Sequence, residues 1–87
     1  MTNLILITRR NCEACSIMLH NVADVLDETN TEVTLRVRHS ESLNVDTLIE
    51  LNIKNFPTIL IKQDGKEVGR LEGTYPVDYI KEIINKL

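Results

Sequence analysis

Two cysteines are too few for a disulfide framework. They stand three residues apart, at Cys12 and Cys15, so a bridge between them closes a tiny loop and adds little stability. No long apolar run occurs, which excludes a membrane-spanning helix. The run Leu4 to Ile7 is too short for a signal peptide and is followed by Arg9 and Arg10, so no leader is expected. Basic residues do not predominate. The formal charge of −3 argues against nucleic acid or an anionic membrane as a partner. Only His20 and His39 could join the cysteines around zinc, and neither spacing resembles a zinc motif, so no metal is expected. Repeats, linkers and low-complexity segments are absent. What remains is one domain over residues 1–87, just long enough for a single core. The default compartment for such a chain is a reducing cytoplasm.

Asn3 to Thr8 reads as a fully buried strand, because its apolar residues run on rather than alternate. Asn11 and Cys12 turn the chain into a helix reaching about Glu28. Its apolar stripe is Ile17 or Met18, Leu19, Val22, Ala23 and Leu26. Thr29-Asn30-Thr31 breaks it. Val33, Leu35 and Val37 alternate with polar residues, as in a strand with one buried face. His39 to Ser42 reads as a loop. Asn44 is a candidate N-cap for a short helix over Val45–Leu51, and Asn52 suits the left-handed exit from it. Thr58 to Ile61 is β-branched and apolar, a central strand. Asp64-Gly65 marks a two-residue hairpin. Glu67 to Glu72 returns, with Gly69 marking a bulge that turns both Val68 and Leu71 inward. Pro76 falls at the first position of a last helix that carries Tyr79 or Ile80, Ile83, Ile84 and Leu87 inward. The order is βαβαββα, which implies a parallel pair joined by a crossover, plus an antiparallel hairpin.

Cys12-Glu13-Ala14-Cys15 sits between the first strand and the first helix. Residues three apart on a helical turn share a face, with Cα atoms about 5–6 Å apart. That is the separation a disulfide needs. The helix end offers unpaired N–H groups and a positive dipole to an anion. Cys12 is therefore the expected attacking thiolate, with a depressed pKa, and Cys15, one turn inside, the resolving thiol. Dithiol redox chemistry outweighs two incidental thiols or a metal pair. Glu13 adds a negative charge that opposes the thiolate, while Arg10 and Arg9 add screened attraction, so the couple is expected on the reducing side. His20 reads as a surface residue.

The chain resembles the thioredoxin and glutaredoxin superfamily, as a small thioredoxin-like protein of glutaredoxin size. Three markers carry the resemblance: the Cys12-Glu13-Ala14-Cys15 junction, Phe56-Pro57-Thr58 before a strand, and the Asp64-Gly65 hairpin followed by Gly73. It implies an α/β minimal thioredoxin fold, a four-stranded mixed sheet with helices on both faces. It implies a cis-proline at Pro57 facing the dithiol, and substrate binding by Phe56, Pro57, Thr58 and Gly73. The departures are specific. Asn11 stands where these proteins usually have Trp, and Glu13-Ala14 replaces Gly-Pro. Leu6 replaces a buried acid that accepts the resolving thiol's proton. Gly73-Thr74-Tyr75 stands where glutaredoxins bind glutathione.

The function this implies is thiol–disulfide oxidoreduction, reducing protein disulfides through a Cys12–Cys15 couple with no bound cofactor. The implied partners are disulfide-containing proteins and an electron donor, either a flavoprotein disulfide reductase or glutathione. The chain is expected to act as a monomer. Glutathione-dependent oxidoreduction and a redox-inert binding module on the same fold are the alternatives.

Overall fold

The computed structural model describes residues 1–29 and 32–87; Asn30 and Thr31, expected to end the first helix, lie outside the described residues. The elements are β1 (Thr2–Thr8), α1 (Glu13–Glu28), β2 (Val33–His39), a 3-10 turn (Ser40–Ser42), α2 (Val45–Glu50), β3 (Thr58–Gln63), β4 (Lys66–Glu72) and α3 (Val77–Asn85). The sheet order is β2-β1-β3-β4. β1 pairs parallel to β2 and antiparallel to β3, and β3 pairs antiparallel to β4. The expected βαβαββα order is therefore the observed one.

Register sorts the side chains by face. Leu4, Leu6, Ile59, Ile61 and Leu71 form a core with Met18, Val22 and Val25 of α1 and Ile80 and Ile84 of α3. Arg70, opposite Leu60 on the other face, donates to the carbonyls of Leu51 and Asn52 at the end of α2. α2 thus covers the opposite face, where Ile7 and Leu60 are buried. It is a short cover. Ile5 and Asn3 stay partly exposed, so β1 is not the fully buried strand expected of an unbroken apolar run.

Local chemistry sets the element ends. Asn44 caps α2 by accepting from the N–H of Thr47 at 2.8 Å, and Asn52 leaves it at φ 57°. Asp64 and Gly65, at φ 52° and 84°, make the hairpin turn that matches strand twist. Several inward assignments change. Met18 rather than Ile17, and Ile80 rather than Tyr79, enter the core, with Leu19 and Leu26 packed against it. Ala23 is exposed and Val25 takes its place, because the helix turns the 18–22–25 face to the sheet. Leu87 is exposed, since α3 stops at Asn85. Pro76 is the N-cap of α3, outside its first turn.

A bulge does interrupt β4, but it does not turn Val68 inward. Pairing shifts from Ile61↔Gly69 to Lys62↔Glu67, which leaves Val68 unpaired and about half exposed. The shift brings Glu67 onto Arg70, Oε2 to Nε at 2.7 Å. The Arg70 guanidinium holds the Glu67 carboxyl below its ordinary range, chiefly by hydrogen bonding. A carboxyl with a depressed folded value stabilises the fold above its unfolded pKa, and this is lost as pH falls through the folded value. Glu67→Gln is expected to lower stability at pH 7 by less than about 1 kcal/mol. Urea midpoints should converge with the parent's in acid; a gap that persists unchanged at low pH refutes the pairing.

Candidate active site at the dithiol

β1 ends at Thr8 in the middle of the sheet, and the chain must turn sharply to enter α1. Asn11 makes the turn at φ 52°, a conformation Asn tolerates. Cys12 is the N-cap of α1, with extended backbone, and its Sγ accepts the N–H of Cys15 at 3.1 Å. The Cys12 and Cys15 side chains are joined as a disulfide, Cα to Cα 5.2 Å. Cys12 is half-buried, whereas Cys15 is 4% exposed.

The pair opens into a cleft of about 470 Å³. Its walls are Thr8, Arg9 and Asn11 at the end of β1, Glu13, Ser16 and Leu19 on α1, and Val37 and His39 on β2. Arg9 leads from this cleft to Phe56, its guanidinium 5.7 Å from the ring centroid. Phe56 is half-buried and Pro57 buried, with a cis peptide bond between them. Ile7↔Thr58 pairing sets this segment beside the end of β1. Thr58 is 1% exposed, and its hydroxyl donates to the carbonyl of Asn55. Gly73, at φ 102°, donates its N–H to the carbonyl of Pro57 at 2.8 Å. The following loop packs on α1: the Tyr75 N–H donates to Sδ of Met18, and Asn21 donates to the carbonyl of Tyr75.

Glu13 is exposed on the cleft wall. Arg10 lines a neighbouring hollow of about 450 Å³ with Arg9, His39, Glu41 and Ser42. There the Arg10 backbone N–H donates to Glu41 at 2.8 Å, and this bond, first among the causes, holds the Glu41 carboxyl below its ordinary range. Glu41 thereby pins the loop that carries Cys12. His20 is exposed on α1, beside Asp24.

His39 departs from the loop reading. It closes β2, and its Nδ1 lies 2.8 Å from Oγ1 of Thr8. Val33, Leu35, Val37 and His39 continue one alternation, so His39 lies on the Val37 face of the sheet, and at the strand end it is exposed. Among the described residues no three His, Cys, Asp or Glu side chains cluster as a metal site. No helix of the described residues is long and apolar enough to cross a membrane.

No family model matches the chain. It is 31% identical over 75 residues to the thioredoxin of Listeria monocytogenes, covering 86% of this chain and 72% of that protein. The chain belongs to the thioredoxin family. The thioredoxin of Listeria innocua matches to the same extent. Among solved structures, chloroplastic thioredoxin z is 28% identical, with a TM-score of 0.79 over 99% of this chain and 77% of that one. Thioredoxin-2 of the malaria parasite, 14% identical, superposes with a TM-score of 0.88 over 100% of this chain and 84% of its own, a likeness of fold. Thioredoxin relatives and the Cys12–Cys15 pair together support thiol–disulfide oxidoreductase chemistry.

The unequal burial of the two sulfurs has a direct readout. In the reduced protein, iodoacetamide should alkylate Cys12 at least about tenfold faster than Cys15, since reactivity follows thiolate character and access. Peptide mapping by mass spectrometry measures the ratio, and equal rates contradict the described burial.

Proposed function

We propose that this chain reduces protein disulfides through the Cys12–Cys15 couple. The supporting observation is the half-buried Cys12 at the start of α1, with a backbone N–H aimed at its sulfur and Cys15 buried one turn behind. A thiolate at Cys12 is favoured there by the helix end. It attacks a substrate disulfide, forms a mixed disulfide and expels the first substrate thiolate. Cys15, deprotonated, then attacks Cys12. The substrate leaves as its second thiolate, and the two electrons it gained come from the Cys12 and Cys15 dithiol, which is oxidised to the Cys12–Cys15 disulfide.

Phe56, Pro57 and Gly73 form the docking edge in this reading. The β3 ladder begins at Thr58, so the backbone at Phe56 lies beyond it and can pair with an extended substrate segment. Pro57 has no N–H to tie up the approaching sulfur. Thr58 anchors the segment from beneath through Asn55. A flavoprotein disulfide reductase or glutathione resupplies electrons in a reducing cytoplasm, and the chain acts as a single-domain monomer.

The test is reduction of insulin with dithiothreitol as the electron source. A rate well above background is expected, and none from Cys12→Ser. Cys15→Ser should accumulate a mixed disulfide through Cys12 while Cys12→Ser accumulates almost none; equal trapping by both overturns the roles. Replacing dithiothreitol by glutathione and its reductase tells the two donor classes apart.

Glu13 tunes the couple in this reading. Its charge sits on the cleft wall and works against the thiolate. Glu13→Gln should raise the reduction potential by a few tens of millivolts, at about 30 mV per 1.4 kcal/mol. Equilibration against glutathione buffers reads the shift, and an unchanged or lower potential shows that Glu13 has no such role.

A further inference from the structure

Cys15 attacks only as a thiolate. At 4% exposure, burial opposes that charge, so the departing proton needs an acceptor within reach. The core supplies none. Leu6, on β1, is apolar and fully buried, and the buried polar side chains among the described residues are Thr8 and Thr58. The cleft is where the pair meets solvent. Besides the cysteines, its titratable walls are Arg9, Glu13 and His39. Arg9 has no acceptor atom. Glu13 is a weak base, and its anion repels a second negative charge. An imidazole ordinarily titrates near neutrality and becomes a cation on taking a proton, which favours an adjacent anion.

We propose, building on the dithiol couple above, that His39 takes the Cys15 proton through the cleft. The sheet holds the ring in place. Parallel pairing sets Thr8 beside His39, and Oγ1 and Nδ1 meet at 2.8 Å. In the tautomer that donates Nδ1–H to Thr8, Nε2 presents its lone pair, and among the described residues Nε2 has no hydrogen-bond partner. The Thr8 bond survives protonation, because both ring nitrogens then donate. The charged neighbours come from three elements. Arg9 and Arg10, after β1, oppose the imidazolium; Glu41, after β2, and Glu13, on α1, favour it.

The step conserves charge and electrons. In the mixed disulfide, the Cys15 S–H proton moves to Nε2 by way of cleft water. The Cys15 thiolate forms its bond to Cys12 Sγ as the bond from Cys12 to substrate breaks. The substrate thiolate departs with that electron pair and takes up the proton released by His39.

The experiment follows the reduced protein reacting with a symmetric aromatic disulfide whose released thiolate absorbs visible light. The first thiolate reports attack by Cys12, and the second reports attack by Cys15. His39→Ala is expected to leave the first phase unchanged and slow the second roughly tenfold or more at pH 7, against the ~10²–10⁴ of acid–base groups in rate-limiting proton transfers. The parent's second phase should level off at a lower pH than the variant's, which should keep climbing with thiol ionisation. Added imidazole should restore the second phase. His39→Gln, which keeps a partner for Thr8, guards against misfolding and should show the same slow phase. A second phase with unchanged rate and pH profile overturns the assignment, as does equal slowing of both phases or slowing that imidazole does not rescue. Failure of the parent to release a second thiolate overturns the dithiol couple itself, a different outcome from a second phase that ignores His39.

Discussion

The pairing of β1 with both of its neighbours is the constraint on which the site depends. Parallel pairing to β2 and antiparallel pairing to β3 bring the end of β1, the end of β2 and the start of β3 to one edge of the sheet. Thr8 then lies against His39, and Ile7 against Thr58. Cys12 follows β1 by one tight loop. Residues far apart in sequence, from the dithiol to Pro57 and His39, therefore gather without any contact designed for each separately. A register slip of one residue in β1 would flip Leu4 and Leu6 out of the core and undo the site in the same movement.

The loop between β1 and α1 must hold its shape against a short span and a left-handed Asn11. Glu41 supplies that restraint by accepting from the backbone of Arg10, so its ionised state serves geometry more than charge. On the other side, Gly73 ties β4 to Pro57, and Tyr75 and Asn21 tie the next loop to α1. The helix that presents Cys12 is fixed from both flanks. Little of this uses ion pairs. The salt bridges among described residues lie mainly at exposed positions, where each contributes little.

Most of the fold was legible because its signals are local. The apolar run of β1, the helical spacing through Val22, the Asp64-Gly65 turn and the Asn44 cap each act within a few residues. The Cys12–Cys15 spacing is likewise local, and it located the dithiol. The errors were of another kind. Ala23, Val68 and Leu87 are apolar and fit a period, but their exposure depends on which helix face meets the sheet, where the bulge sits and where α3 stops. The hydroxyl of Thr58 bonds the carbonyl of Asn55, a contact the sequence does not single out. His39 reads as a loop residue because a polar side chain ends the strand there, although alternation with Val37 sets it on the same sheet face, where it is exposed. Glu41 left no trace in the sequence, since its partner is a backbone N–H and not a side chain.

The site also divides its environments by face. Between α1 and the sheet lies an apolar core that includes Leu4, Leu6 and Met18, which solvates no charge. Beside it lies an open, solvent-facing cleft with an imidazole and charges of both signs. A buried thiol in such a place can gain a charge only toward the cleft. Putting a carboxylate at Leu6 would have served the proton at the expense of a buried ion, which is costly without a partner. Keeping Leu6 apolar favours packing and moves the proton's destination to the wet side, where an ionised group stays hydrated and burial costs little. Within this chain, the apolar residue at position 6 and the histidine at position 39 are two consequences of one choice about where charge is allowed.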